Sequence, residues 1–95
     1  MWVLRSHDAS PAVTMRLLPG ARKTVGRGTG AGFVVDMPMV SRLHCRLAAA
    51  PDQLVVEDLG STNGTFVNDR RVQRATLREG DLLRLGGVVL SVARH

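Results

Sequence analysis

Three residue types that can carry out hydrolysis occur in this sequence, at Ser41, His44 and Asp58, and Cys45 could act as a thiol nucleophile. A serine or thiol nucleophile needs a base within hydrogen-bond reach, and a third group must hold that base in place. The sequence has no G-x-S-x-G element, and two adjacent residues of one strand, such as His44 and Cys45, point to opposite faces. We therefore predict that the protein is not an enzyme, that it has no catalytic residues, and that Cys45 is a small core side chain.

A glycine-rich stretch, residues 26–32, contains the pattern G-x-G-x-x-A, which in dinucleotide-binding folds places a pyrophosphate on a helix N-terminus. Residues 33–36 that follow form an extended apolar run rather than a helix, so the stretch is interpreted as a turn between two strands. This turn leaves Arg27 uncrowded at a strand end. The histidines and the cysteine lack the spacing of metal ligands, and the sequence predicts neither a metal nor a cofactor.

Two further stretches, residues 40–44 and 58–66, are dense in hydroxyl, amide and cationic groups. One Arg fork and hydroxyls that converge from separate loops can form charge-assisted hydrogen bonds to the oxygens of a phosphate dianion. A structural alternative for the second stretch is a tight turn at Asn63 and Gly64, because both residue types tolerate left-handed backbone. That alternative leaves the hydroxyl groups unexplained.

The elements that must position these groups follow from the hydropathy pattern. Short runs alternate apolar with polar side chains between closely spaced Gly, Pro, Asn and Asp residues, for example at residues 13–17, 54–57 and 82–85. This spacing predicts an all-β fold, either a β-sandwich or a small barrel.

Residues 40–50 fit two patterns. Their apolar residues also recur at helical spacing, with a serine that could cap the N-terminus and a proline just beyond that could stop the helix. We favour a strand, because the neighbouring segments are all β. The strand would place Cys45 and Leu47 inward and His44 and Arg46 outward.

Length and composition limit the number of domains and the possible location of the protein. A chain of 95 residues with 44% hydrophobic content suits one domain spanning residues 1–95, and no apolar stretch approaches the roughly 20 residues of a membrane span. No secretory signal is visible and the lone cysteine cannot form an internal disulfide, so we expect a monomeric, intracellular protein, cytoplasmic or nuclear. The net charge is +5 and twelve of the thirteen basic residues are arginine, which favours an anionic partner unless coding bias and solubility explain it.

Three short motifs occur in a fixed order between the predicted strands: Gly26-Arg27, then Ser41-Arg42-Leu43-His44, then Gly60-Ser61-Thr62-Asn63-Gly64-Thr65. With these motifs the chain resembles the forkhead-associated (FHA) domain family over nearly its whole length. The resemblance implies a β-sandwich of two twisted, mainly antiparallel sheets with about 10–11 short strands. It also implies a signalling adaptor that reads phosphothreonine in a protein phosphorylated by a Ser/Thr kinase, without a membrane or nucleic acid.

The resemblance further implies a role for each residue of the motifs. The phosphate would be bound by Arg27, Ser41, Arg42 and Thr62. Asn63 would bind the peptide main chain, for which a combined donor and acceptor is suited. His44 would orient the serine loop, and Gly26 and Gly64 would serve the backbone shape, so these three would not be ligands. For Arg42, a plain surface charge is an equal alternative.

A nucleic-acid-binding module is the main alternative from another class. Four arginines form a basic cluster in the sequence: Arg70, Arg71, Arg74 and Arg78. A helix over residues 40–50 would add further arginines on its polar face. With one Trp, two Phe and no Tyr, however, the chain has few side chains for stacking on single-stranded bases. The resemblance to FHA domains also implies that the loops at residues 37–40 and 59–61 read the side chain a few places C-terminal of the phosphothreonine.

Overall fold

The computed structural model describes residues 1–7, 9 and 12–95 of the chain. These residues contain eleven β-strands and no helix, and hence no helix of the length and hydrophobicity needed to cross a bilayer. The strands arise where apolar and polar side chains alternate, because such a segment can bury one face of a sheet. They are β1 (Trp2–Ser6), β2 (Thr14–Leu17), β3 (Arg22–Gly26), β4 (Phe33–Val34), β5 (Cys45–Ala49), β6 (Leu54–Asp58), β7 (Thr65–Val67), β8 (Arg70–Val72), β9 (Arg74–Leu77), β10 (Leu82–Leu85) and β11 (Val88–Arg94).

The strands form two sheets that pack face to face. The order is β2-β1-β11-β10-β7-β8 in the six-stranded sheet and β4-β3-β5-β6-β9 in the five-stranded sheet. Neighbouring strands are antiparallel, with the exception of the parallel pair β3 and β4. The predicted all-β sandwich of two mainly antiparallel sheets is confirmed, and its eleven strands agree with the expected number.

The side chains between the two sheets form one hydrophobic core. Leu4, Leu47, Val56, Leu83 and Leu90 are fully buried in it. Along β5 and β6, buried residues alternate strictly with partly exposed ones, as a strand with one covered face requires. Truncating a buried leucine of such a core to alanine typically costs about 2–5 kcal/mol, so the core holds the strand ends and the loops between them in fixed positions.

Residues 40–50 form a loop followed by β5, so the helical alternative for this stretch is wrong. Cys45 and Leu47 are buried and Arg46 is half-exposed, as the strand interpretation predicted. The outward orientation predicted for His44 is wrong, because its side chain is fully buried. His44 precedes the strand, and polar groups of two loops hold its ring.

Antiparallel pairing brings several strand connections to one end of the sandwich. Val25 near the end of β3 pairs with Cys45 at the start of β5, which pairs with Asp58 at the end of β6. In the other sheet Thr65 at the start of β7 pairs with Leu85 at the end of β10. The connections at this end are called the loop rim: residues 27–32, 35–44, 59–64 and 86–87.

Candidate functional site

A shallow pocket of about 170 Å³ opens at the loop rim. Its walls come from three loops that are far apart in sequence, and they consist of Arg27, Pro38, Met39, Val40, Ser41, Thr62 and Asn63. The structure therefore brings together four of the predicted ligand-binding residues: Arg27, Ser41, Thr62 and Asn63. One cation, two hydroxyl groups and one amide share this pocket.

Arg27 is the first residue after β3 and is tied to the β4–β5 loop at two points. Its backbone N–H donates to the Ser41 carbonyl at 2.9 Å, and its Nε donates to the Val40 carbonyl at 3.0 Å. In the part of the chain that the structure describes, neither terminal nitrogen of the guanidinium has a hydrogen-bond or ion-pair partner. The side chain is thus oriented through Nε, while both Nη groups remain available to an anion.

Ser41 connects the β4–β5 loop to the β6–β7 loop. Its hydroxyl oxygen accepts the Thr62 backbone N–H at 3.0 Å, which leaves the hydroxyl hydrogen free to donate. The Ser41 backbone N–H donates to Nδ1 of His44 at 3.1 Å, and Nε2 of the same ring lies 2.8 Å from the Gly64 carbonyl. These partners require the neutral His44 ring with its proton on Nε2, because Nδ1 accepts and the carbonyl can only accept.

Asp58, the last residue of β6, shapes the β6–β7 loop. Its carboxylate accepts the backbone N–H groups of Gly60 at 3.0 Å and Ser61 at 3.1 Å. It also accepts the hydroxyl of Ser61 at 2.5 Å and that of Thr65 at 2.8 Å. Burial alone would raise the pKa of Asp58, but these four hydrogen bonds outweigh it and hold the pKa below its ordinary value. The loop therefore folds around an ionised carboxylate.

Two glycines permit close contacts beside the pocket. A Cβ atom on Gly26 would lie 1.9 Å from the Arg42 carbonyl oxygen, so the β4–β5 loop can only pack against the end of β3 if residue 26 has no side chain. Gly64 has a φ of +90°, and a Cβ atom there would lie 2.9 Å from Nε of Arg71. Residue 26 must therefore be glycine because a Cβ atom would clash with the backbone, and residue 64 is glycine because its backbone conformation is left-handed.

Asn63 is exposed on the rim, where its Nδ2 donates to the Met39 carbonyl at 2.8 Å. Of the two residues in the alternative turn, only Gly64 has a positive φ, so the turn interpretation does not account for Asn63. Met39 is itself supported by the β10–β11 turn, since a Cβ atom on Gly86 would lie 2.5 Å from the Met39 carbonyl oxygen. Within the described residues, Oδ1 of Asn63 has no hydrogen-bond partner. The amide is oriented but keeps donor and acceptor capacity for a ligand.

Arg42 does not line this pocket. Its side chain lines a neighbouring pocket of about 510 Å³ with Leu43 and residues 28–31. As predicted, the glycine-rich stretch connects two strands, β3 and β4, and does not begin a helix. Arg42 thus lines a different pocket from the other three residues predicted to bind phosphate, and its own phosphate contact stays a prediction.

Cys45 is buried directly below the rim at the start of β5. Burial, together with the negative charge of Asp58, raises the pKa of the Cys45 thiol to about 12. A thiol with this pKa stays protonated at neutral pH and is a poor nucleophile. The prediction that Cys45 is a core side chain is confirmed.

Sequence reasoning missed two residues that shape the site. Asp58 was considered only as a member of a hydrolytic triad. Its loop-forming role is signalled by Gly60 and Ser61 two and three positions later, because Asp side chains commonly bond backbone N–H groups at these positions. Gly86 supports Met39 through a contact between distant parts of the chain, which no local pattern reveals.

Comparison with known proteins is consistent with this geometry. A family model of the FHA domain matches residues 23–86. The FHA domain-containing protein FhaA of Mycobacterium tuberculosis is 35% identical over 97 residues, and the match covers 93% of this chain but 18% of FhaA. A structure from a study of phosphothreonine-dependent FHA domain interactions has a TM-score of 0.89 at 36% identity, covering 99% of this chain and 96% of that one. The FhaA FHA domain complexed with the intracellular domain of Rv3910 has a TM-score of 0.87 at 35% identity, covering 97% and 99%.

Proposed function

This chain belongs to the FHA domain family, and from that premise we propose that residues 1–95 form one domain that binds phosphothreonine in another protein. FHA domains are protein interaction modules. The partner is an intracellular protein that a Ser/Thr kinase has phosphorylated, and the domain acts as a signalling adaptor. The observation that carries this proposal is the pocket that Arg27 shares with Ser41 and Thr62.

The phosphate is bound by one cation and two hydroxyl groups. The free Nη groups of Arg27 form a fork that matches two phosphate oxygens, and the side chain is already oriented by its Nε bond to Val40. The Ser41 hydroxyl donates its free hydrogen to another oxygen, because its own oxygen is engaged by the Thr62 N–H. Thr62 adds its hydroxyl from the opposite loop. Since hydrogen bonds hold the Arg27 and Ser41 side chains in place before binding, little ordering entropy is lost for these two groups when the ligand arrives.

Asn63 binds the main chain of the phosphorylated peptide. One N–H of its amide is used by the Met39 carbonyl, and the remaining N–H and Oδ1 match a peptide C=O and N–H. A main-chain contact of this kind gives affinity without regard to the side chain at that position. Gly26, His44 and Gly64 do not contact the ligand and instead set the positions of the loops that do.

Arg42 contributes less than Arg27. Its side chain lines the adjoining pocket, so it adds positive charge beside the phosphate from an exposed position that solvent and salt screen.

The hydrogen bonds around the pocket support a function without catalysis. His44 accepts the Ser41 backbone N–H rather than its hydroxyl, so it is not placed as a base for that oxygen. Asp58 is engaged by Ser61 and Thr65 instead of orienting His44. The side chains of the serine, histidine and aspartate are therefore not linked to one another as those of a catalytic triad are.

The basic cluster that favoured a nucleic-acid-binding module is divided between the two sheets. Arg71 pairs with Phe66 in the six-stranded sheet, whereas Arg74 pairs with Glu57 in the five-stranded sheet. The chain crosses from one sheet to the other at Gln73, between β8 and β9. This division favours a peptide ligand at the rim over a nucleic acid on one basic face.

The proposal is tested by isothermal titration of the protein with a degenerate phosphothreonine peptide library and with the matching phosphoserine and unphosphorylated libraries. We expect binding to the phosphothreonine set, several-fold weaker binding to phosphoserine and none to the unphosphorylated set. Arg27→Ala should weaken binding by about thirtyfold or more, because it removes the charge-assisted hydrogen bonds of both Nη groups to the phosphate.

A matched control removes the same charge elsewhere. Arg16 is exposed on β2, at the opposite edge of the six-stranded sheet from β7 and β8, so Arg16→Ala should bind almost as the wild type does. Any binding of the protein to a DNA duplex should survive Arg27→Ala. Equal losses for Arg27→Ala and Arg16→Ala, or equal loss of peptide and DNA binding on replacing Arg27, would contradict the assigned site.

A further inference from the structure

Two arginines flank one aromatic ring on the outer face of the six-stranded sheet. Phe66 on β7 pairs directly with Arg71 on β8 and with Arg84 on β10. Directly paired residues of antiparallel strands project from the same face, so these three side chains lie in one row across three strands. This set is called the arginine row.

Contacts within the arginine row bring both arginine side chains close to the Phe66 ring. The Cζ atom of Arg84 lies 4.0 Å from the centre of the Phe66 ring, a cation–π contact. On the other side, a Cβ atom added to Gly64 would lie 2.9 Å from Nε of Arg71 and 3.1 Å from Cε1 of Phe66, so the Arg71 side chain and the ring meet beside Gly64. The row presents two guanidinium groups beside one ring, and the cation–π contact orients that of Arg84.

The arginine row lies immediately below the loop rim. Gly64, which the row contacts, directly follows Asn63, and Arg84 is two residues before Gly86 in the β10–β11 turn. A peptide that is bound at Asn63 and continues across this part of the loop rim therefore passes over the arginine row.

The row has an excess of positive charge. In the portion of the chain that the structure describes, Asp69 is the one carboxylate in an ion pair with it, and its Oδ1 lies 4.0 Å from the nearer Nη of Arg84. The Asp69 side chain is 95% exposed, so this pair is weak and leaves Arg84 free to exchange partners. Arg71 takes part in no ion pair among the same residues.

We infer that the arginine row selects phosphothreonine peptides that carry acidic side chains on one flank of the phosphorylated residue. The inference rests on the proposed function, since the phosphate pocket must first anchor the peptide. The planar fork of each guanidinium matches a carboxylate, and two such contacts at an exposed surface raise affinity by about threefold to tenfold at low salt. Salt screens the effect, because the Debye length falls from about 10 Å at 0.1 M to about 3 Å at 1 M.

The test compares three phosphothreonine peptides of one length by fluorescence anisotropy. One has only neutral flanks, one has three Glu residues before the phosphothreonine, and one has three Glu residues after it. For the wild-type protein we expect one of the acidic peptides to bind about threefold to tenfold more tightly than the neutral one in 0.1 M salt, and equally in 1 M salt.

Variants separate charge from packing. The double variant R71Q/R84Q should lose the preference for the acidic peptide and keep the affinity for the neutral one. R71K/R84K retains the charges and should keep part of the preference, and D69N removes the competing carboxylate and should increase it. The control R16Q removes one positive charge from the far edge of the same sheet and should behave as the wild type does.

Each outcome distinguishes this inference from the function on which it rests. If the wild type binds the acidic and neutral phosphopeptides equally, or if R16Q weakens the preference as much as R71Q/R84Q does, the row is not a selectivity element. Binding of a DNA duplex that depends on Arg71 and Arg84, without a preference for acidic peptides, would likewise overturn the inference. If the wild type binds no phosphopeptide at all, the proposed function fails and takes this inference with it.

Discussion

Replacing Gly26 with alanine should damage the proposed phosphate pocket without changing any of the groups proposed to contact the ligand. The added Cβ atom would lie 1.9 Å from the Arg42 carbonyl oxygen and 2.6 Å from its carbonyl carbon. Both are backbone atoms, so no side-chain rotation can relieve the contact. The β4–β5 loop must move away from the end of β3 by about 1.5 Å to restore an ordinary contact distance.

That movement affects both stability and binding. Overpacking of this kind typically costs about 1–3 kcal/mol of folding free energy. The hydrogen bond of 2.9 Å from the Arg27 N–H to the Ser41 carbonyl also lengthens, so the cation and the hydroxyl separate. A hydrogen bond from Ser41 to the phosphate, stretched by an ångström, falls outside bonding range. Because such bonds to a charged group contribute about 1.5–3 kcal/mol, the expected loss of affinity is about tenfold to a hundredfold.

Gly30 provides the matched control, since a Cβ atom there would meet nothing within 4 Å. Titration with a phosphothreonine peptide should therefore show a large loss for Gly26→Ala and almost none for Gly30→Ala. Unfolding in urea, followed by the fluorescence of the buried Trp2, establishes that each variant is folded at the titration temperature. A folded Gly26→Ala variant with wild-type affinity would refute the argument that the close approach positions Ser41.

Two further predictions concern titratable groups below the rim. Asp58→Asn should lower stability at pH 7 by about 1–3 kcal/mol, because an amide cannot accept all four hydrogen bonds, and wild-type stability should decrease in acid where the variant's does not. The pKa of Asp58 is lowered in the folded protein, so the ionised carboxylate contributes its full stabilisation above about pH 4, and this is lost as the pH falls through the lowered pKa. Urea unfolding of the wild type and the variant at pH 7 and pH 3 measures the loss of stability and its pH dependence. Equal pH dependence in the two proteins would contradict the prediction. Cys45 should not react with a thiol reagent at pH 8 until urea unfolds the protein, whereas reaction at the rate of an exposed thiol in the native state would show that it is not buried. Because its pKa is raised to about 12, the thiol's contribution to stability is present below about pH 8.5 and is lost as the pH rises towards 12.

The strands could be predicted from the sequence because their information is local. Alternation of apolar and polar residues specifies a strand wherever one face is covered, and it identified β5 despite a competing helical spacing. The same pattern failed at His44, one residue before that strand. The ring of His44 is buried because a backbone N–H and a carbonyl from two separate loops satisfy its nitrogens. Such a polar burial depends on tertiary contacts that periodicity does not contain.

The site shows the same division between local and tertiary information. The motif at residues 41–44 presents Ser41 and Arg42 as neighbours, yet only Ser41 lines the pocket with Arg27, and the chain bends at Arg42 and Leu43. The sequence motif marks Gly26 as part of the site but does not show why the residue is glycine. The reason is the Arg42 carbonyl, which lies close to Gly26 only in the folded protein. The β6–β7 loop is the opposite case, since Asp58 and Ser61 determine its shape within a few residues. A loop that is stabilised locally can be presented to a ligand by any sandwich with the right register, which is why short motifs in a fixed order between strands predict this pocket.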